Sequence, residues 1–234
     1  MLNNRRIHPW LAYWKKKEVI VLETQQFFRI FFIAIFTVLV IIRLYFQITM
    51  EDTRNVLFNL REKFLLIFVR FLLSVPLTVG VLDYVFFSRY ISWSYIMVPF
   101  SLRFTGLILG GVSLYILFLS HRELGKSFSS RLIIKKGHRL VRTGPYRMVR
   151  HPMYSSFLSL FVAAFLISEN WVIGISGASI ILTLITMRIS KEEALLIEYF
   201  KDEYEEYRQF TGMFFPLYHQ LSFHKKPEEE RISP

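Results

Sequence analysis

Residues 153–187 read MYSSFLSLFVAAFLIS, then EN, then WVIGISGASIILTLITM. Two long apolar runs, Met153 to Ser168 and Trp171 to Met187, are separated only by Glu169 and Asn170. Each approaches the roughly 20 residues that a helix needs to cross the hydrocarbon core of a bilayer. A chain that reverses across two polar residues between such runs must form a helical hairpin. Apolarity here is continuous rather than alternating, which selects helices over a closed barrel, the other way to satisfy backbone polar groups in lipid.

Working outward, further apolar runs extend from Phe27 to Ile48, from Phe64 to Phe87, and within Ile96 to Ser120, most cleanly from Phe104 onward. The composition agrees: 53% of the 234 residues are hydrophobic and mean hydropathy is +0.36. The expected fold class is therefore all-α: a polytopic helical membrane protein with about five transmembrane helices, a C-terminal helical hairpin and a cytoplasmic amphipathic helix. Four segments are expected: an interfacial stretch over 1–26, N-terminal transmembrane helices over 27–103, a core over 104–217 and a polar tail over 218–234, disordered from His224 onward. The first apolar run starts only at Phe27 and has no small-residue cleavage pattern, so it reads as a span rather than a signal peptide.

Cysteine is absent, which excludes disulfides and thiolate metal sites. The six histidines lack ligand spacing with carboxylates, and no metal site is expected. The net charge of +11 is uneven. Residues 121–152 hold nine Lys or Arg against the single acid Glu123, whereas 188–234 hold seven bases and ten acids. Basic residues beside membrane spans, with no nucleic-acid-binding motif, point to a cytoplasmic loop under the positive-inside rule rather than to a nucleic-acid partner.

The hairpin returns the chain to the side of that loop, so the C-terminal tail is expected in the cytoplasm as well. Five full spans would then leave the N-terminus outside, against the basic cluster Arg5, Arg6, Lys15, Lys16 and Lys17. Pro76, flanked by Arg70 and Asp83, offers one resolution, a re-entrant second segment. Trp10, Tyr13 and Trp14 suit a helix lying at the interface. Arg29 and Arg43 stand near enough to the ends of their run to snorkel.

Two polar clusters flank the hairpin. One is Gly144-Pro145-Tyr146-Arg147-Met148-Val149-Arg150-His151-Pro152-Met153-Tyr154; the other is Arg188-Ile189-Ser190-Lys191-Glu192-Glu193. Pro152 disfavours the α region at His151, which predicts an extended loop feeding a helix at or just after the proline. Beyond Met187 a charged amphipathic helix is expected over Ser190–Gln209, with Ile189, Leu196, Phe200, Tyr204 and Tyr207 on one face, ended by Gly212. Ser190 and Glu193 have the spacing of a capping box. Tyr146 and Tyr154 suit an interfacial aromatic belt as well as a site.

Leu124-Gly125-Lys126-Ser127-Phe128-Ser129, His138-Arg139-Leu140-Val141, Gly144-Pro145-Tyr146 and Arg150-His151-Pro152-Met153-Tyr154, in that order, resemble the core of the isoprenylcysteine carboxyl methyltransferase family and its phospholipid N-methyltransferase relatives. Arg188, Glu192-Glu193, Leu196, Phe200, Tyr204, Tyr207 and Pro216 resemble the family's closing motif. The resemblance covers about 104–217. It implies S-adenosyl-L-methionine (SAM) at the cytoplasmic helix ends, contacted by His138, Leu140, Val141, Tyr146, His151, Pro152, Met153, Tyr154 and Glu192. It also implies that Arg188 faces the substrate as the catalytic and acceptor-binding arginine. Arg131 stands where relatives tend to carry a neutral polar contact, and Ser156 replaces a common glycine.

The residue chemistry agrees with those roles. Glu192 suits the ammonium or ribose hydroxyls of SAM as a charge-assisted acceptor, and Arg188 suits an anionic acceptor through bidentate geometry. The expected partners are membrane lipids and a lipid-like or prenylated acceptor. The expected reaction is SAM-dependent carboxyl O-methylation of an isoprenylcysteine-like group at the cytoplasmic face. Alternatives are N-methylation of a phospholipid amine, a nicotinamide-dependent membrane reductase and a non-catalytic lipid-binding protein. The reductases tend to end in a Cys-containing motif that this chain lacks.

Overall fold

The computed structural model describes residues 9–50, 56–60, 64–87, 89–125, 132–135 and 139–217. His138, Arg131, the Lys126–Ser129 stretch and the 218–234 tail lie outside the described residues, as do Arg5 and Arg6. Among the described residues, six α-helices carry the fold: α1 (Pro9–Met50), α2 (Phe64–Phe86), α3 (Phe100–Leu124), α4 (Pro152–Ser168), α5 (Trp171–Phe200) and α6 (Asp202–Phe210). A short antiparallel ribbon joins β1 (Val56–Leu60) to β2 (Leu132–Lys135), with Leu60 opposite Leu132. The ribbon links the α1–α2 and α3–α4 connections and is an addition to the helical class expected from sequence.

Among the described residues, four helices are long and apolar enough to cross a membrane: Leu22–Thr49, Ile67–Phe86, Phe100–Leu124 and Trp171–Phe200. The fifth expected span, α4, has 17 residues. At 1.5 Å per residue it is about 25 Å long, short of a hydrocarbon core of about 30 Å. Its neighbours compensate: α4 packs between α3 and α5, and Leu160, Ala163, Ala164 and Ile167 are buried.

Three expectations about boundaries are corrected. The interfacial segment is not a separate element, because α1 runs unbroken from Pro9 into the first span. α2 is continuous through Pro76, so this segment is not re-entrant. α5 does not stop at Arg188 but continues to Phe200, and Ser190 and Glu193 are mid-helix rather than a capping box. The amphipathic stretch is split at Lys201, whose φ of 50° breaks the helix and starts α6. Of the expected apolar face, Ile189 is buried on α5 and Tyr204 and Tyr207 on α6, whereas Leu196 and Phe200 are half-buried and the neighbouring Leu195 is buried.

In lipid, helices gain little from burying apolar surface, so close approach and polar contacts must hold them. Among the described helical glycines Gly177 makes the tightest approach: a Cβ there would stand 2.0 Å from the Phe161 ring, so glycine lets α5 lie this close to α4. Phe28, Phe32, Tyr84, Ala163, Ala164, Ile167 and Ile173 form one core cluster, and Ile42, Phe46, Leu114 and Leu160 form another nearer the site. Phe71, Leu72, Ile108, Ile175 and Leu182 remain exposed, as lipid-facing positions do.

The turn of the hairpin anchors a polar network at one end of the bundle. Glu169 (φ 59°) accepts from Arg89, from Gln25 at 3.2 Å and from the Val98 amide at 3.3 Å, and pairs with Arg103 at 3.3 Å. Arg103 also donates to the Ile167 carbonyl at 2.8 Å and lies over the Phe28 ring at 3.9 Å. Asn170 caps α5 by accepting from the amides of Val172 and Ile173, and donates to Ser94 at 2.9 Å. Asp83 accepts from Tyr95 at 2.8 Å and from the Ile91 amide at 3.1 Å.

At the other end, Arg43 does not snorkel outward. It meets His121 at 3.4 Å and lies over the Phe157 ring at 5.6 Å. These contacts fix the direction of α1, with Gln25 at the Glu169 end and Arg43 at the end where α4 begins. The first helix therefore starts from the opposite end of the bundle to the two polar clusters.

Candidate active site

The first cluster folds as a 3-10 turn, Gly144–Arg147, followed by the bridge at Val149 and the start of α4 at Pro152. Gly144 (φ 57°) packs its backbone so tightly on Glu123 that a Cβ would meet the Glu123 Cγ at 2.7 Å. Thr143 donates to Glu123 at 2.6 Å, fastening the turn to the end of α3. Proline at the first helical position leaves His151 in a non-helical conformation (φ −125°, ψ 59°), as the His-Pro step predicts. α4 and α5 are antiparallel, so the beginning of α4 faces the end of α5.

That crossing brings the two clusters together. Tyr154 donates to Glu192 Oε2 at 3.4 Å, and the His151 Nε2 atom lies 3.3 Å from Glu193 Oε1. Arg188 stands half-buried one turn before Glu192 on the same face of α5. Tyr146 is buried, with its hydroxyl titration pushed well above its usual value by burial first and by the charge of Glu192 second. Pro152 is buried, Met153 half-buried, and Leu140 and Val141 run half-buried into the turn. No described contact fixes Leu140, Val141 or Met153 relative to Glu192, and His138 lies outside the described residues.

By sequence Glu193 is a helix-start acid; in the structure it is a buried anchor. Its Oε1 accepts from Arg150 Nε at 2.9 Å as well as meeting His151. Arg150 donates onward to the carbonyls of Arg208, at 3.2 Å, and Thr211. The amides of Arg150 and His151 donate to the Gly212 and Met213 carbonyls at 2.8 and 3.0 Å, and Ser155 donates to Phe214 O at 2.9 Å. α6 is held over the loop by Tyr207, which donates to the Tyr146 carbonyl at 2.6 Å, and by Arg142, which donates to the Glu203 carbonyl at 2.6 Å. Burial pushes the Tyr207 hydroxyl up to about 12, so it remains a donor. The chain after α5 thus straps back across the His151 loop.

A signal for Glu193 was present in the sequence. Adjacent acids on a helix diverge by about 100°, so two of them at a helix crossing face different neighbours. No group of three or more metal-ligating side chains occurs among the described residues.

Residues 104–198 match the family model of isoprenylcysteine carboxyl methyltransferase (ICMT). This segment resembles the ICMT family. It contains α3 from Phe104 onward, the strapped loop, α4 and nearly all of α5, and hence Tyr146, His151, Tyr154, Arg188, Glu192 and Glu193. Among relatives, the protein-S-isoprenylcysteine O-methyltransferase of Schizosaccharomyces pombe is 34% identical over 97 residues, 41% of this chain and 41% of that protein. The probable protein-S-isoprenylcysteine O-methyltransferase of Oryza sativa subsp. japonica is 32% identical over 108 residues, 45% of this chain and 56% of that protein. The Saccharomyces cerevisiae protein-S-isoprenylcysteine O-methyltransferase is 35% identical over 95 residues, covering 40% of each chain. The matches thus span about half the length of these ICMT relatives. A solved structure of the eukaryotic intramembrane Ras methyltransferase ICMT aligns with 68% of this chain and 54% of its own, at 20% identity and a TM-score of 0.47.

Proposed function

We propose that this chain is an integral-membrane methyltransferase that transfers the methyl group of SAM to the carboxylate of an isoprenylcysteine-like acceptor at the cytoplasmic face. The observation that carries the reading is the Tyr154–Glu192 contact. With the His151–Glu193 contact beside it, it gathers acidic acceptors, a phenol and an imidazole where α4 begins and α5 leaves the apolar layer, inside the ICMT-like segment. The catalytic core is assigned to 104–217 and selection of the acceptor's tail to the helices of 27–103.

The residues fit SAM chemically. An ammonium and ribose hydroxyls need an anionic acceptor, which Glu192 provides; Tyr154 holds that carboxylate from α4. The His151 imidazole, with Tyr146, Pro152 and Met153, suits a carboxylate and a flat apolar ring; His138, Leu140 and Val141 are assigned to the same group on the family pattern. SAM supplies an electrophilic methyl group. The protein's task is then to align two partners, which is worth orders of magnitude in rate without any further chemistry.

Arg188 is assigned to the acceptor, its planar guanidinium matching a carboxylate. Such an acceptor is already ionised near neutral pH, whereas an amine must first give up a proton. The carboxylate acceptor thus asks no proton transfer of the protein, which favours O- over N-methylation.

The test is calorimetric SAM binding to the purified protein, with Glu192→Ala and His151→Ala alongside. Binding by the wild type that is lost in both variants supports the assignment. Methyl incorporation into a prenylcysteine analogue but not into phosphatidylethanolamine supports the acceptor, and the reverse pattern replaces it with the lipid amine. Folded wild-type protein that does not bind SAM overturns the methyltransferase reading.

A further inference from the structure

We infer that Glu193 is a positioning residue that sets which nitrogen of the His151 ring carries the proton, and so which ring atom is left for the methyl donor; the second half of this inference rests on the SAM reading above. The two consecutive acids of α5 serve different partners. Glu192 meets Tyr154, while Glu193 turns into the protein against Arg150 and His151. The side chains of Arg150, His151 and Glu193 are 9%, 5% and 12% exposed, so water contributes little to satisfying them.

The chemistry of the pair is asymmetric. A carboxylate beside a guanidinium at 2.9 Å is ionised and accepts only. The ring nitrogen 3.3 Å from the same oxygen must therefore carry the hydrogen, which places the proton on Nε2. Nδ1 is then the ring's remaining polar atom, an acceptor in the neutral ring and a donor in the charged one. The residue is held on its backbone side and flanked on its ring side. Its backbone amide is tied to Met213 at 3.0 Å, it precedes a proline that begins α4, and Phe214 and Tyr154 flank the ring at 6.3 and 5.9 Å. Orienting a ring by a hydrogen bond on its far nitrogen is a general device for fixing its tautomer.

Arg150 extends the arrangement. It holds the same Glu193 oxygen and the carbonyls of Arg208 and Thr211, so one carboxylate couples the ring's orientation to closure of the strap after α6.

Nitrogen chemical shifts of the His151 ring, assigned by difference against His151→Gln in mildly alkaline buffer, test the inference independently of SAM. The wild type is expected to show the proton on Nε2. Glu193→Leu and Glu193→Ala are expected to give a tautomer mixture and to weaken SAM binding by roughly tenfold, about one lost charge-assisted hydrogen bond. Glu193→Gln keeps the Oε1 acceptor that Arg150 and His151 share and is expected to retain the Nε2 proton, while Glu193→Ala serves if the leucine variant does not fold. A wild-type ring protonated on Nδ1 overturns the inference whatever binds. Leucine and alanine variants with an unchanged ring and unchanged SAM affinity overturn it too. A wild type that keeps the Nε2 proton but does not bind SAM instead removes the methyltransferase reading, and the ring assignment stands.

Discussion

Tyr207 on α6 donates its hydroxyl to the main-chain oxygen of Tyr146, 2.6 Å away, across 61 residues of sequence. Both side chains are buried, and the bond closes the strap of the chain over the loop that begins α4. Tyr207→Phe keeps the ring and removes only the donor, leaving a buried carbonyl unsatisfied. The cost is expected at about 1–3 kcal/mol. Faster proteolysis within 202–217, with spans still protected, is the expected readout; an unchanged cleavage rate would count against the strap.

At the opposite end, Glu169 is the only described carboxylate joined to both Arg89 and Arg103. Glu169→Ala strands two cations, one of them with a side chain 4% exposed. Breaking a buried pair from one side costs about 3–5 kcal/mol. A clear fall in the melting temperature is expected, while SAM affinity measured well below melting stays at the wild-type value, because the network lies the length of α4 from His151.

Asn170 makes a narrower prediction. Its side chain accepts from two amides at the start of α5 and donates to Ser94. Asn170→Ala loses the cap at about 1–2 kcal/mol. Amide exchange should accelerate over residues 171–174 and remain slow in the middle of α5.

Helix contact is tested at two glycines. Gly177→Ala sets a methyl into the Phe161 ring, whereas a methyl on Gly111 would meet nothing within 4 Å. Overpacking costs about 1–3 kcal/mol, so Gly177→Ala should lower the melting temperature. Gly111→Ala should leave it unchanged or raise it slightly, since alanine is the better helix former.

The helices and their hairpin were legible in the order of residues alone. Trp171 to Met187 and its partner run are continuous in apolarity, and two polar residues allow only a reversal, so periodicity and length were enough. The His151-Pro152 start of α4 was legible too, because proline restricts both its own backbone and that of the residue before it. The boundaries at Arg188 and Lys201 were not: a charge does not end a helix, and the positive φ at Lys201 has no signature in a lysine. It took tertiary contacts to turn Glu193 inward while Glu192 meets Tyr154, and to bring Arg43 to His121. Those outcomes depend on which helix lies across from which, and at what rotation. Local propensity carries no information about that, since the partners are 38 to 78 residues apart in the chain.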